Sequence, residues 1–251
     1  LLENYPMFKK PTFLALTAAV SLMAFAPRFK QKTVWMMGDS TMAIKEKNKF
    51  PETGWGVPFA TLFKKNITVE NRAKNGRSTR SFIDEGRWKE IYEHWNAGDY
   101  LFIQFGHNDE KVDKPAVGTS LSAYKANLTM FITKARAHHV TPVLLTPIVR
   151  RHFEKGTLVD THKGYPEAMR VVADSLQVPL IDLTSKTKEL LERMGERESI
   201  GLFLHLAPGD KNYPEGVEDN THLNVEGARA VADLAVQGLK ELKLTLAEDL
   251  N

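Results

Sequence analysis

Five short apolar runs punctuate the chain at residues 33–37, 67–71, 100–105, 143–146 and 180–183, each ending in small or polar residues. Their length and β-branched or aromatic content predict buried strands. Between and after them lie amphipathic stretches that predict helices, over 57–65, 86–95, 122–138, 166–176, 186–194 and 225–242. Strands alternating with helices of this length imply a five-stranded parallel sheet covered on both faces, an α/β fold. No internal repeat or low-complexity tract interrupts the pattern. Loops of unusual content follow the strand ends: 71–81, 106–115, 147–164 and 207–224. In such a sheet they share one edge, the edge where ligands sit.

The N-terminal segment breaks the alternation. A basic start at Met7-Phe8-Lys9-Lys10, an apolar run over 12–25 and a small-x-small close at Ala24-Phe25-Ala26 together predict a secretory signal peptide. Residues 1–26 are thus read as an upstream extension plus leader, with one domain over 30–246. The run is too short to span a bilayer comfortably, so no membrane role is expected beyond export to a bacterial periplasm or the medium. With 42% hydrophobic residues in 251, one full-sized core is expected. A formal charge of +3, with no long basic run, argues against nucleic acid as a partner. The absence of cysteine excludes disulfides, thiolate metal sites and a cysteine nucleophile.

Chemistry concentrates in the strand-end loops. The first strand breaks at Gly38-Asp39-Ser40-Thr41, where Ser40 reads either as a helix N-cap or as a nucleophile at the mouth of a site. Asn75-Gly76 is a turn signal, or a place where the Gly76 N–H meets a developing oxyanion. In Gly106-His107-Asn108-Asp109, Asn108 is a turn residue or a neutral N–H donor. Asp219 and His222 are three apart, so one helical turn would bring a carboxylate against an imidazole base, although Asp219 equally suits a turn cap. Asp160 and His162 are a competing pair with less suitable spacing. Trp55, Arg77, Arg80, Arg150, Arg151 and Tyr213 lie in or near the same loops and suit an acidic ligand on which a ring could stack, unless the arginines simply pair with local acids. Asp39 reads as an acceptor that holds its loop. No metal or cofactor pattern is present, and His138-His139 suits a solvated helix end.

Taken in order, Gly38-Asp39-Ser40-Thr41, Gly76, Gly106-His107-Asn108-Asp109 and Asp219-x-x-His222 resemble the blocks of the SGNH (GDSL-type) hydrolases. The resemblance implies a flavodoxin-like three-layer α/β/α sandwich. It also implies Ser40 as nucleophile, His222 as base, Asp219 as its orienter, and an oxyanion hole of the Ser40 and Gly76 N–H groups with the Asn108 side chain. Asn71-Arg72-Ala73-x-Asn75-Gly76-Arg77-Ser78-Thr79, Thr146-Pro147-Ile148-x-Arg150-Arg151 and Asn212-Tyr213-Pro214 are similar to the rhamnogalacturonan acetylesterase group. The expectation that follows is a serine esterase without cofactor, removing acetyl groups from a plant cell-wall polysaccharide, first of all rhamnogalacturonan, through an acetyl-serine intermediate. Acetylxylan, another short-chain acyl ester, or carbohydrate binding without turnover are the alternatives. A flavin or nucleotide site fits poorly, because the first loop has one glycine and an acidic Asp39. An α/β-hydrolase is disfavoured for want of a Gly-x-Ser-x-Gly elbow.

Overall fold

The computed structural model describes residues 31–251, so the expected leader lies outside the described residues. In chain order the elements are β1 (Lys32–Gly38), α1 (Gly56–Ala60), β2 (Ile67–Asn71), α2 (Thr79–Asp84), α3 (Arg87–Tyr92), β3 (Tyr100–Gln104) and α4 (Leu121–Ala137). The second half comprises β4 (Thr141–Leu145), β5 (Phe153–Glu154), β6 (Thr157–Leu158), α5 (Tyr165–Leu176), β7 (Leu180–Ile181), α6 (Leu183–Glu198), β8 (Phe203–Leu206), β9 (Val217–Leu223) and α7 (Val225–Glu241).

Five strands form one sheet in the order β2-β1-β3-β4-β7, every neighbouring pair parallel. Because successive side chains point to opposite faces and both are covered, β3 and β4 and the later part of β1 are apolar at nearly every position, while the edge strand β2 carries Thr68, Glu70 and Asn71. Val34, Met36, Tyr100, Phe102, Val143 and Leu145 face one core, shared with Ala228, Ala232 and Leu239 of α7. Trp35, Met37, Leu101, Ile103 and Leu144 face the other, with Leu128 and Phe131 of α4 and Met169 of α5. Both faces are covered, which gives the three layers expected.

The five strands occur where the sequence places them, with ends shifted by a few residues. The first helix is shorter than expected and stops at Ala60. The sixteen-residue α6 begins three residues earlier than expected and carries a break at Gly195, where φ is 80°. The sequence pattern does not anticipate α2, the β5–β6 pair or the antiparallel β8–β9 hairpin. The packed chain also continues past residue 246: Leu250 bridges Phe63, and the Asn251 N–H reaches the Leu62 carbonyl at 2.9 Å.

The strand order reverses at β1, because β2 lies on one side of it and β3 on the other. At such a switch point the loops leaving adjacent strands part and leave a crevice at the carboxyl edge. Gly38 pairs in register with Gln104, so the loops after β1 and β3 leave the sheet side by side. A side chain at Gly38 would come within 2.6 Å of the Gln104 carbonyl, so glycine is required for this close approach.

Candidate active site

Ser40 follows β1 by two residues in a turn held from beneath. The fully buried Asp39 accepts from the Thr41 N–H at 3.0 Å and the Thr41 hydroxyl at 2.9 Å, and its carbonyl takes the Met42 and Ala43 N–H groups. Burial pushes the Asp39 carboxyl up, but His107, 3.3 Å away, and the Thr41 donors outweigh it and hold the pKa at about 2. Burial itself pulls His107 down to about 4, so at neutral pH a buried carboxylate stands beside a neutral ring. The loop-holding role expected of Asp39 is what its hydrogen bonds describe.

His222 reaches Ser40 from the opposite end of the chain. Its Nε2 lies 2.9 Å from Ser40 Oγ and its Nδ1 lies 2.7 Å from Asp219 Oδ2. The local geometry is not the helical turn inferred from the spacing. Asp219 and His222 belong to β9, at a register shift: Phe203 pairs with Leu223 while the next residue, Leu204, pairs with Asp219. The intervening residues bulge out, and Asp219 Oδ1 closes the bulge by accepting the Thr221 and His222 N–H groups at 2.7 and 2.9 Å. An Asx turn in a strand therefore brings together what a helix was expected to align. Partial burial raises the Asp219 pKa, but the His222 ring and backbone donors and the Thr221 N–H prevail and depress it to about 2. Arg151 steadies the bulge by donating its N–H to the Asn220 carbonyl at 2.8 Å and Nη1 to Asn220 Oδ1 at 3.0 Å.

Asn108 lies four residues beyond β3 and is 4% exposed. Its Oδ1 accepts from Lys111 Nζ at 2.7 Å and its Nδ2 donates to the Arg77 carbonyl at 3.1 Å. Because an ammonium cannot accept, the amide oxygen must face Lys111, which assigns the flip. One amide N–H remains. Among the described residues, that N–H and the backbone N–H groups of Ser40 and Gly76 have no protein acceptor. Gly76 occupies the left-handed region at φ 76°.

Two lysines that sequence reasoning passed over support these loops: Lys45 joins two of them, and Lys111 holds Asn108 within its own. Lys45, whose side chain is 5% exposed, donates to the Ser40 carbonyl at 2.5 Å and to Asn75 Oδ1 at 3.0 Å, and pairs with Glu52 at 2.7 Å. Burial lowers its pKa, and Glu52 opposes the shift. For Lys111 the available signal was its spacing: the turn after β3 closes with the Lys111 N–H on the Asn108 carbonyl.

The expected sugar contacts fare differently. Trp55 is fully buried, its indole N–H donating to Gln104 Oε1 at 2.9 Å, so it is a core residue and no sugar platform. Arg77 is held by Glu85 at 3.0 Å and by the Asn75 carbonyl, and Arg80 pairs with Asp84. Arg150 is engaged by Glu110 at 2.6 Å and Thr161 at 3.1 Å, while Arg151 serves the bulge. Tyr213 gives its hydroxyl to the Lys49 carbonyl at 2.9 Å. The arginines thus take the local-pairing alternative. Asp160 accepts the His162 N–H, and the buried His162 ring has both nitrogens engaged, by Glu110 and the Ile148 carbonyl, so the two do not form a base with its orienter. The described residues hold no group of three or more histidine and acidic side chains suited to a metal.

Comparison with known proteins accords with this geometry. The model of the GDSL-like lipase/acylhydrolase family matches residues 36–230. Rhamnogalacturonan acetylesterase RhgT of Bacillus subtilis (strain 168) is 44% identical over 219 residues, covering 86% of this chain and 93% of that one. A rhamnogalacturonan acetylesterase of Emericella nidulans is 26% identical over 238 residues, covering 86% and 87%. Among solved structures, Axe2, an acetylxylan esterase from Geobacillus stearothermophilus, superposes with a TM-score of 0.59 at 18% identity, covering 86% of this chain and 98% of that one. At that identity the likeness speaks for the fold alone.

Proposed function

The chain belongs to the GDSL-like lipase/acylhydrolase family, and from that premise we propose that it removes acetyl groups from acetylated rhamnogalacturonan through an acetyl-Ser40 intermediate. The observation that carries the chemistry is the Ser40–His222–Asp219 relay, with contacts of 2.9 and 2.7 Å beside three uncommitted N–H donors. His222 takes the Ser40 proton as Oγ attacks the acetyl carbonyl, and Asp219 fixes the ring so that Nε2 presents its lone pair. The Ser40, Gly76 and Asn108 N–H groups receive the oxyanion, where pre-aimed dipoles stabilise developing charge without reorganising. His222 then protonates the departing sugar oxygen. Water attacks the acetyl-enzyme with His222 again as base, releasing acetate and restoring Ser40.

The substrate follows from the similarity to RhgT over nearly its whole length and to the Emericella enzyme. Residues 7–26, with the pattern of a secretory leader, support export to where such polymers are met. Acetate release from acetylated rhamnogalacturonan and acetylated xylan, measured on the chain from residue 27 onward, tests the reading. Release mainly from the first polymer, abolished by Ser40→Ala and by His222→Ala, is expected. Preference for xylan discards the substrate, and release that survives Ser40→Ala discards the mechanism.

A further inference from the structure

A groove of about 480 Å³ shares its walls with the site. Lys45 lines it and bonds the Ser40 carbonyl; Thr53 lines it and donates its N–H to the carbonyl of Leu223, the neighbour of His222. Its lining includes an exposed apolar set. Ile44 is 65% exposed, Phe50 59% and Val57 39%, three large hydrophobic side chains gathered at one opening. Single exposed hydrophobic residues are ordinary, but a contiguous set beside a site marks a surface that something covers. The loop bearing Phe50 is pinned rather than loose: Asn212 donates to the Phe50 carbonyl at 2.7 Å and Tyr213 to the Lys49 carbonyl at 2.9 Å. The ring is therefore held out at a prearranged place, which reduces the ordering cost of binding.

The rim adds charge. Lys47 and Lys211 line the groove and make no ion pair among the described residues, and Glu46 is the acid beside them. The other acid of the groove, Glu52, is consumed by Lys45. A free cationic pair beside an apolar set has a specific chemical complement. A rhamnogalacturonan backbone alternates a 6-deoxy sugar, with an exposed methyl, and a uronate, with a carboxylate. An unsubstituted xylan backbone has neither.

We propose that this groove is the subsite that seats the sugars flanking the acetylated residue, the deoxysugar methyl against Phe50, Ile44 and Val57 and the uronate carboxylate toward Lys47 and Lys211. It sets the preference for an acidic, deoxysugar-bearing polymer over a neutral pentosan. The inference rests on the esterase reading above and adds the place where the polymer is recognised.

The test is the ratio of kcat/KM on acetylated rhamnogalacturonan oligosaccharides to that on acetylated xylo-oligosaccharides. For Phe50→Ala this ratio falls about tenfold, the scale of a lost apolar contact in a recognition site. For the double variant Lys47→Gln/Lys211→Gln it falls roughly three- to fivefold at low salt, and the difference from the parent disappears near about 0.5 M NaCl as screening removes the charge term. A parent enzyme that prefers acetylated xylan overturns the substrate reading and the groove with it. A parent that prefers rhamnogalacturonan, with a ratio unmoved in both variants or with equal losses on both substrates, overturns the groove alone.

Discussion

Replacing Lys111 by Met tests whether the Asn108 donor is held in place or merely present. The Lys111–Asn108 contact of 2.7 Å is a charge-assisted bond to the amide oxygen, and the Arg77 carbonyl takes one of the two N–H groups at 3.1 Å. Without Lys111 the amide keeps only the Arg77 tether, which still opposes a flip but lets the side chain swing and loosens the aim of its free N–H. A hydrogen bond to a charged group contributes about 1.5–3 kcal/mol, and the partial exposure of Lys111 places this one at the low end. Loss of an oxyanion donor outright costs about 10²–10³ in kcat. A donor that is loosened but not deleted should cost about tenfold, near 1.4 kcal/mol. The loss should fall on kcat with KM little changed, because the oxyanion forms only in the transition state. Lys111→Arg should recover most of the rate. Burial, then the nearby Arg150 and Lys114 charges, lower the Lys111 pKa, so its positive charge is lost at lower pH than an ordinary lysine would lose it. Arginine stays charged, and the alkaline fall in kcat should move upward in pH in that variant. Steady-state kinetics on an aryl acetate reads all three. If Lys111→Met keeps parental kcat while Asn108→Ala loses about a hundredfold, Lys111 does not hold the donor and the reasoning fails.

Asp219→Asn should preserve the fold yet lower kcat by about 10²–10⁴, because an amide leaves the His222 ring without its orienting carboxylate; crystallography with kinetics separates the two. Asp109 is raised to about 7 by burial, against the hydrogen bonds from Thr79. An acid whose folded pKa lies above its unfolded value stabilises least when ionised, so its contribution declines as pH rises from about 4 to about 7. Urea denaturation should therefore show Asp109→Asn gaining stability relative to the parent on going from pH 5 to pH 8, and a constant difference would refute the shift. Trp55→Phe should cost about 1–2 kcal/mol in thermal or urea unfolding through the lost bond to Gln104, with no change in polymer selectivity. A selectivity change would return Trp55 to the substrate.

The sheet was legible because both of its faces are buried. In a run such as Tyr100–Gln104 the only polar position is the last, so nothing within it confuses the pattern. The hairpin was not, because Val217–Leu223 reads Val-Glu-Asp-Asn-Thr-His-Leu, a polar string that only its pairing with β8 makes a strand. The short α2 is begun by reciprocal bonds between Ser78 and Ser81, a capping box in which Ser replaces the usual Glu or Gln. Ser40, Asp219 and His222, which the structure brings within hydrogen-bonding distance, stood out because their blocks occur in order, although the Asp219–His222 contact comes from a strand bulge and not from a helical turn. Trp55 was misplaced, and the arginines stayed open between sugar and local acids, for a common reason. A sequence shows that an aromatic or basic residue is near a loop, but not that Gln104, Glu85 or Glu110 already occupies it. Lys45 was invisible for the converse reason, since nothing in the sequence distinguishes a lysine that binds two loops from one that faces water.

The most direct measurement is the intact mass of the protein after treatment with a serine-directed phosphonate, followed by peptide mapping. A nucleophile activated by His222 across 2.9 Å predicts one adduct on Ser40, absent in Ser40→Ala and strongly slowed in His222→Ala. No adduct, or an adduct on another serine, would contradict the account.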